Sequence, residues 1–184
     1  MTPYLLKVGG SDQLTEAHLI RELTVASYTF VSAQWQAYKA QHCPPGSLPG
    51  SFSWNWGEKA AVAPSQNCRL LGLHSEGCVE GLVMVSKVPS QSRMSGLTNE
   101  SVMYIEYLEG APWNQKLYAG GAVRFEGVGT ALISVAVEES YALGCDGRLG
   151  LHSLPEAVKF YEKMGFINLG FDTTEGFTYF ELRG

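Results

Sequence analysis

The stretch Arg124-Phe-Glu-Gly-Val-Gly-Thr-Ala-Leu132 joins the residue types of an anion-binding turn to the start of a helix. Gly127 and Gly129 let backbone N–H groups come close to a ligand, and the first unpaired donors of the following helix, at Val128, Gly129 and Thr130, aim at the same point. A helix N-terminus carries partial positive charge and Arg124 adds a guanidinium, so the guest that fits is a diphosphate. Two nucleotide-binding motifs fail on the same residues. A P-loop needs Lys-Ser or Lys-Thr after its last glycine, whereas Thr130-Ala131 follow Gly129. A dinucleotide fingerprint needs a third glycine where Leu132 stands.

The cradle needs a strand before it and a helix after it. Leu132, Val135, Ala136 and Leu143, with Ala131 and Ala142, form an apolar stripe, Glu138, Glu139 and Ser140 fall on the solvent side, and Gly144 is a natural stop. Upstream, residues 68–74 and 78–87 read as a hairpin turning at Ser75-Glu-Gly77, and residues 103–108 read as a strand ended by Gly110-Ala-Pro112. Residues 89–100 between them are a polar loop. Downstream, 148–152 is a strand, Pro155 opens a helix that Gly165 stops, and 166–171 pairs with 177–182.

The N-terminal part holds a short strand or arm at 4–8, a helix over about 12–26 capped by Ser11 or Asp12, and a second helix or continuation over 28–42 that Pro44 ends. A Pro/Gly/Ser-rich loop then leads to Trp54 and Trp56. These tryptophans suit either an acceptor pocket or, more plainly, core packing. Residues 58–63 make a short helix before Pro64. The order of elements predicts a mixed α/β layer.

With 184 residues the chain is long enough for one domain with a sizeable core, and a single unit over 1–184 is expected. The net charge of −5 argues against nucleic acid as a partner, because duplex binding relies on Lys and Arg neutralising phosphates. Cys43, Cys68, Cys78 and Cys145 have neither C-x-x-C spacing nor a metal-ligand grouping with the histidines, so free thiols and no metal are expected. No apolar run reaches membrane-spanning length and Met1-Thr-Pro-Tyr-Leu-Leu lacks the layout of a leader; a cytoplasmic protein without a membrane partner is the expectation.

Taken together, the strand, R-x-x-G-x-G, helix and strand, followed by Ala157-Val-Lys-Phe-Tyr-Glu-Lys-Met-Gly-Phe166, resemble the GCN5-related N-acetyltransferase (GNAT) family. The resemblance covers about residues 102–171 and implies an α/β (α+β) fold with a mostly antiparallel central sheet flanked by helices. It further implies that acetyl-CoA is the co-substrate, with Arg124, Gly127, Val128, Gly129 and Thr130 at its diphosphate. Leu108 and Gly110 would lend backbone groups to its pantetheine, and Tyr161 would protonate the departing thiolate. Two features depart from the family pattern: Leu154 stands where relatives often carry an Asn that meets pantetheine, and Trp113 to Val123 form an insert before the cradle. The insert either lies over the acetyl end of the site or is a surface excursion.

The implied reaction is attack of a primary amine of a small molecule or peptide on the thioester, which needs a base because an alkylamine is protonated at neutral pH. Glu106, Glu109 and His152 are the candidates, with Glu106 first. Alternation puts Tyr104, Glu106 and Leu108 on one face and Ile105, Tyr107 and Glu109 on the other. A non-catalytic acetyl-CoA-binding sensor is the competing reading, and a homodimer is compatible with either.

Overall fold

The computed structural model describes residues 3–184, so Met1 and Thr2, at the head of the segment examined for a leader, lie outside the described residues. Strand β1 (Tyr4–Val8) turns through Gly9–Asp12 into β2 (Leu14–Ile20). This hairpin replaces the helix expected over 12–26. Ala17 is fully buried while Leu14, Glu16 and His18 face outward, a period of two that the scattered leucines disguised as a helical stripe. Ser11, read as a helix cap, serves the turn: its N–H donates to the Val8 carbonyl and its Oγ accepts from Gln13 N–H. Helix α1 (Val25–His42) begins only after Thr24, whose Oγ1 accepts from Ser27 N–H.

Helix α2 (Trp56–Val62) follows, with Asn55 capping it through Gly57 and Glu58 N–H. The expected hairpin is present as β3 (Cys68–Ser75) and β4 (Cys78–Ser86). The polar loop after it contains one short strand, β5 (Ser90–Gln91), and leads to β6 (Ser101–Gly110). The insert holds a 3-10 turn and helix α3 (Lys116–Ala119), after which β7 (Phe125–Glu126) leads into helix α4 (Val128–Ala142). Strand β8 (Leu149–Ser153), helix α5 (Val158–Lys163) and the pair β9 (Ile167–Asp172) and β10 (Phe177–Leu182) complete the chain.

The sheet runs β7-β1-β2-β3-β4-β6-β8-β10-β9, with β5 beside β6. Its pairs are antiparallel except β6 with β8, which is parallel. One face packs on α4 and α5 through Leu71, Val83, Ile105, Leu132 and Tyr161; the other packs on α1 and α2 through Trp35, Trp56, Leu82 and Met84. Helix α4 sits close to the sheet because Gly81 has no side chain: a Cβ there would lie 2.8 Å from both Val128 Cγ1 and Leu132 Cδ1. The outer face of α4 departs from expectation. Glu139 and Ser140 are buried, Glu139 between Arg21 and Arg69 and Ser140 with its Oγ on the Arg148 carbonyl, while Ala142 is exposed.

Candidate active site

The parallel pair β6–β8 is short. Its register covers Met103 with Leu149, Tyr104 with Gly150 and Ile105 with Leu151, and then the strands part. The departure coincides with a bulge: Met84 pairs with Tyr107 and Val85 with Ile105, leaving Glu106 as the extra residue of β6. Beyond it, Ala111 N–H donates to the Glu80 carbonyl at 2.8 Å, so strand alternation turns the backbone groups of Gly110 and Leu108 away from β4 and into the gap. The Gly110 carbonyl there already accepts from Gln115 Nε2 at 2.6 Å. The backbone groups of Leu108 and the N–H of Gly110 remain to pair with a ligand lying in the gap.

The bulge also corrects the alternation expected for β6. Ile105 and Leu108 both pack on the α4 face, whereas Tyr107 packs on the α1–α2 face with Glu106 and Glu109. Both glutamates therefore share a face, in different surroundings. Glu109 is 3% exposed, with Oε1 2.7 Å from Lys39 Nζ and Oε2 accepting from Trp56 Nε1 at 2.7 Å. Enclosed in this way it is a structural ion pair and not an accessible base. Glu106 is exposed at the rim of a cavity of about 350 Å³ that it shares with Tyr104, His152, Arg93, Glu175 and Tyr179. Partial burial, then repulsion from Glu175, raises its carboxyl above the ordinary range.

His152 reaches the same cavity but is held at both ring nitrogens. Nδ1 lies 2.6 Å from the Tyr104 hydroxyl and Nε2 lies 3.2 Å from Asp172 Oδ2. Asp172 is fixed in turn by Arg93 at 2.6 Å and by Thr174 N–H at 2.9 Å, and these bonds hold its carboxyl well below the usual range. No local pattern marks Tyr104, Asp172 and Arg93 as neighbours of His152. Asp172 ends β9, and only the β9–β10 connection brings it over the end of β8.

Tyr161 lies on the other face, 7% exposed among Phe160, Phe166 and Phe180. The sheet thus separates it from Glu106 and His152 everywhere except at the gap.

At the mouth of the gap stands the N-terminus of α4. Gly127, with φ of 87°, is its cap; no side chain caps the helix and no acidic residue occupies its first turn. A Cβ at Gly127 would have no atom within 4 Å, so the approach is open. Gly129 serves a different purpose from the one its spacing suggested, since a Cβ there would lie 3.0 Å from Phe160 Cζ: it admits a ring from α5 and not a ligand. Arg124 is also differently employed. Its guanidinium reaches Glu80 Oε1 at 2.9 Å and Glu76 Oε2 at 3.1 Å, and its side chain is 31% exposed. The fully buried Glu80 also accepts from Trp113 Nε1 at 2.7 Å and Asn114 Nδ2 at 2.8 Å; burial still raises its carboxyl above the ordinary range, and these bonds offset only part of that push. The insert is thereby anchored to β4 and packs on α1, where Trp113 meets Trp35 and Tyr38.

The loop 43–55 crosses from α1 to the far side of the gap. Gly50 N–H donates to Glu156 Oε1 at 2.6 Å, and a Cβ on Gly50 would lie 2.7 Å from Leu154 Cδ2. Leu154, standing where relatives carry an amide, packs against this crossing segment. Its near end is held on α1, where Lys39 Nζ donates to the Ser51 carbonyl and Gln36 Nε2 to those of Phe52 and Trp54. Of the two tryptophans, Trp56 is core, whereas Trp54 lines a second cavity of about 330 Å³ with Tyr107 and Lys59. The Lys59 ammonium lies 3.1 Å from the Tyr107 ring centre and 5.1 Å from that of Trp54.

Comparison with known proteins bears on this arrangement. No curated relative matches the sequence. A GNAT-family structure from Desulfovibrio desulfuricans superposes with a TM-score of 0.60 at 12% identity, covering 91% of this chain and 98% of its own. The Bacillus subtilis N-acetyltransferase YlbP in complex with coenzyme A gives 0.53 at 12% identity, covering 91% and 97%. The Thermoplasma acidophilum PaiA N-acetyltransferase, also in complex with coenzyme A, gives 0.53 at 13%, covering 91% and 99%. At such identities the likeness is one of fold. The family model described as the acetyltransferase (GNAT) family matches residues 32–166, which include the C-terminal part of α1, the bulged strand, the gap and the uncapped helix, and the chain belongs to that family.

Proposed function

We propose that the protein transfers the acetyl group of acetyl-CoA to a primary amine of a small molecule or peptide by direct attack on the thioester. The observation that carries this reading is the gap between β6 and β8, with free backbone groups along one wall, an uncapped helix N-terminus at its mouth and a polar cavity at its floor. The diphosphate takes the N–H groups of Val128, Gly129 and Thr130, beside Gly127. Arg124 supports the cradle by holding the preceding turn on Glu76 and Glu80 and contributes little free charge. Pantetheine lies along Leu108 and Gly110.

An alkylammonium entering the cavity must lose a proton before it can attack. Glu106 takes that proton, since partial burial and the Glu175 carboxylate make it a stronger base than an ordinary carboxylate. Tyr161, reaching the gap from the opposite face, protonates the thiolate. The four free cysteines support a cytoplasmic location.

The first experiment is calorimetric titration with acetyl-CoA of the parent and of Thr130→Glu, followed by thiol-release assays over a panel of amines. Thr130 is exposed, and a carboxylate in the first turn of a helix favours folding, so loss of binding in this variant is electrostatic and not structural. Saturable parent binding weakened about tenfold or more, roughly 1.4 kcal/mol, is expected. Absent binding removes the cofactor assignment. Binding without thiol release from any amine favours the sensor reading instead.

A further inference from the structure

Acetylating an alkylammonium disposes of two protons, one before attack and one from the nitrogen once it is bonded to the carbonyl carbon. Glu106 accounts for the first. His152 cannot meet the nitrogen itself, because both its ring nitrogens are engaged and its side chain is 9% exposed.

The ring's hydrogen-bond partners settle its tautomer. Asp172, ionised and fixed by Arg93, can only accept, so Nε2 carries the hydrogen. Nδ1 then holds the lone pair and accepts the Tyr104 O–H. Tyr104 lines the cavity beside Glu106, two residues before the strands part, and its hydroxyl covers Nδ1 of the imidazole. The groups facing the imidazole come from three elements and a loop: Tyr104 and Glu106 on β6, Arg93 after β5, Asp172 and Glu175 at the β9–β10 turn, and Tyr179 on β10. Tyr179 is itself fixed, donating to Glu181 at 3.0 Å under the Arg93 guanidinium.

We infer that Tyr104, His152 and Asp172 form a proton relay in which the Tyr104 hydroxyl is the group that meets the acceptor nitrogen. This rests on the acetyl-transfer reading above. The nitrogen–carbon bond forms and the carbon–sulfur bond breaks. The nitrogen's second proton passes to the Tyr104 oxygen as the Tyr104 proton passes to Nδ1. The thiolate takes its proton from Tyr161. The imidazolium, balanced by Asp172, and the Glu106 carboxyl then each release a proton to solvent, and Tyr161 regains one from it, so one proton leaves per turnover. Tyr104 is the catalytic residue of the relay, and Asp172 is a positioning residue that acts through the tautomer it imposes.

The test uses the full-length protein labelled with ¹⁵N in its histidines. Nitrogen NMR of the parent should show His152 with hydrogen on Nε2 and a lone pair on Nδ1; Asp172→Asn should abolish that preference. Hydrogen on Nδ1 in the parent overturns the relay with no amine needed. Tyr104→Phe, which keeps the ring, should lower turnover by about a hundredfold or more with acetyl-CoA affinity unchanged. Undiminished turnover in that variant also overturns the relay. A parent that binds acetyl-CoA yet turns over no amine ends the acetyl-transfer reading and the relay's chemical role with it, even where the spectrum is as expected.

Discussion

Burial alone raises the Tyr161 hydroxyl above its ordinary titration range, so it remains protonated through neutral pH, as a proton donor to a thiolate must. Tyr161→Phe removes that one oxygen from a ring packed on three phenylalanines. Turnover should fall about a hundredfold while acetyl-CoA affinity and denaturation midpoint stay put; steady-state kinetics with matched calorimetry checks this. A second residue makes a pH prediction. Burial lowers the Lys59 ammonium from 10.5 to about 8, despite the Tyr107 ring against it. Between those two values the unfolded chain holds more protons than the folded one, so this group makes stability rise with pH across the window. Below it both states are charged and the penalty is constant; above it both are neutral and the penalty is gone. Lys59→Met should flatten the rise, and urea midpoints taken on either side of the window would show the same slope in both proteins if the assignment is wrong.

Elements differ in how openly the sequence declares them. Helix α4, the β3–β4 hairpin and the strands after residue 148 could be read from pattern and punctuation, because their apolar periods and their glycine or proline stops agree. Strand β2 could not, because of its inward residues only Leu19 is large and apolar, Thr15 and Ala17 being polar or small, while Leu14 faces solvent, and only pairing with β1 and β3 decides its conformation. The bulge at Glu106 was invisible for a related reason: one extra residue changes which side chains share a face without changing composition. The turn before α4 carries the prediction at this scale. Gly127→Ala meets no atom but must adopt φ of 87°, a backbone cost of about 1–2 kcal/mol. It should lower urea stability by about that amount and, by tilting the first N–H groups of α4, weaken acetyl-CoA binding as well. A stable variant with parental affinity would show that the cradle is not set by this turn.

Across the whole molecule, the two motifs sufficed for the family, but the candidate site needed the fold. Arg124 looked free to hold an anion until the β3–β4 turn brought Glu76 and Glu80 to it. Glu109 looked like a candidate base until α1 brought Lys39, 0% exposed, against it. Long-range ion pairs leave no local mark in a sequence. That last pair joins α1 to the sheet, and Lys39→Met would strand a carboxylate in the interior at a cost of about 3–5 kcal/mol. Lys39→Met combined with Glu109→Leu should recover much of it. Equilibrium denaturation of the single and double variants measures the coupling, and equal losses in both would deny it.

The segment that leaves α1 after His42, reaches Leu154 and Glu156 at Gly50 and returns to Lys39 and Gln36 lies across the gap and leaves it two doors. In the proposed reaction coenzyme arrives at the helix door and amine at the cavity door, so neither blocks the other's entry and neither has to leave before the other comes. For the proposed reaction this requires a ternary complex: double-reciprocal plots should intersect and not run parallel. The strap over the gap is tied on both sides, by Gly50 N–H on Glu156 and by the Ser51, Phe52 and Trp54 carbonyls on Lys39 and Gln36, and in the proposed reaction it must loosen for coenzyme to leave. Turnover can then be limited by the unlatching of the strap while the chemistry beneath it is already complete.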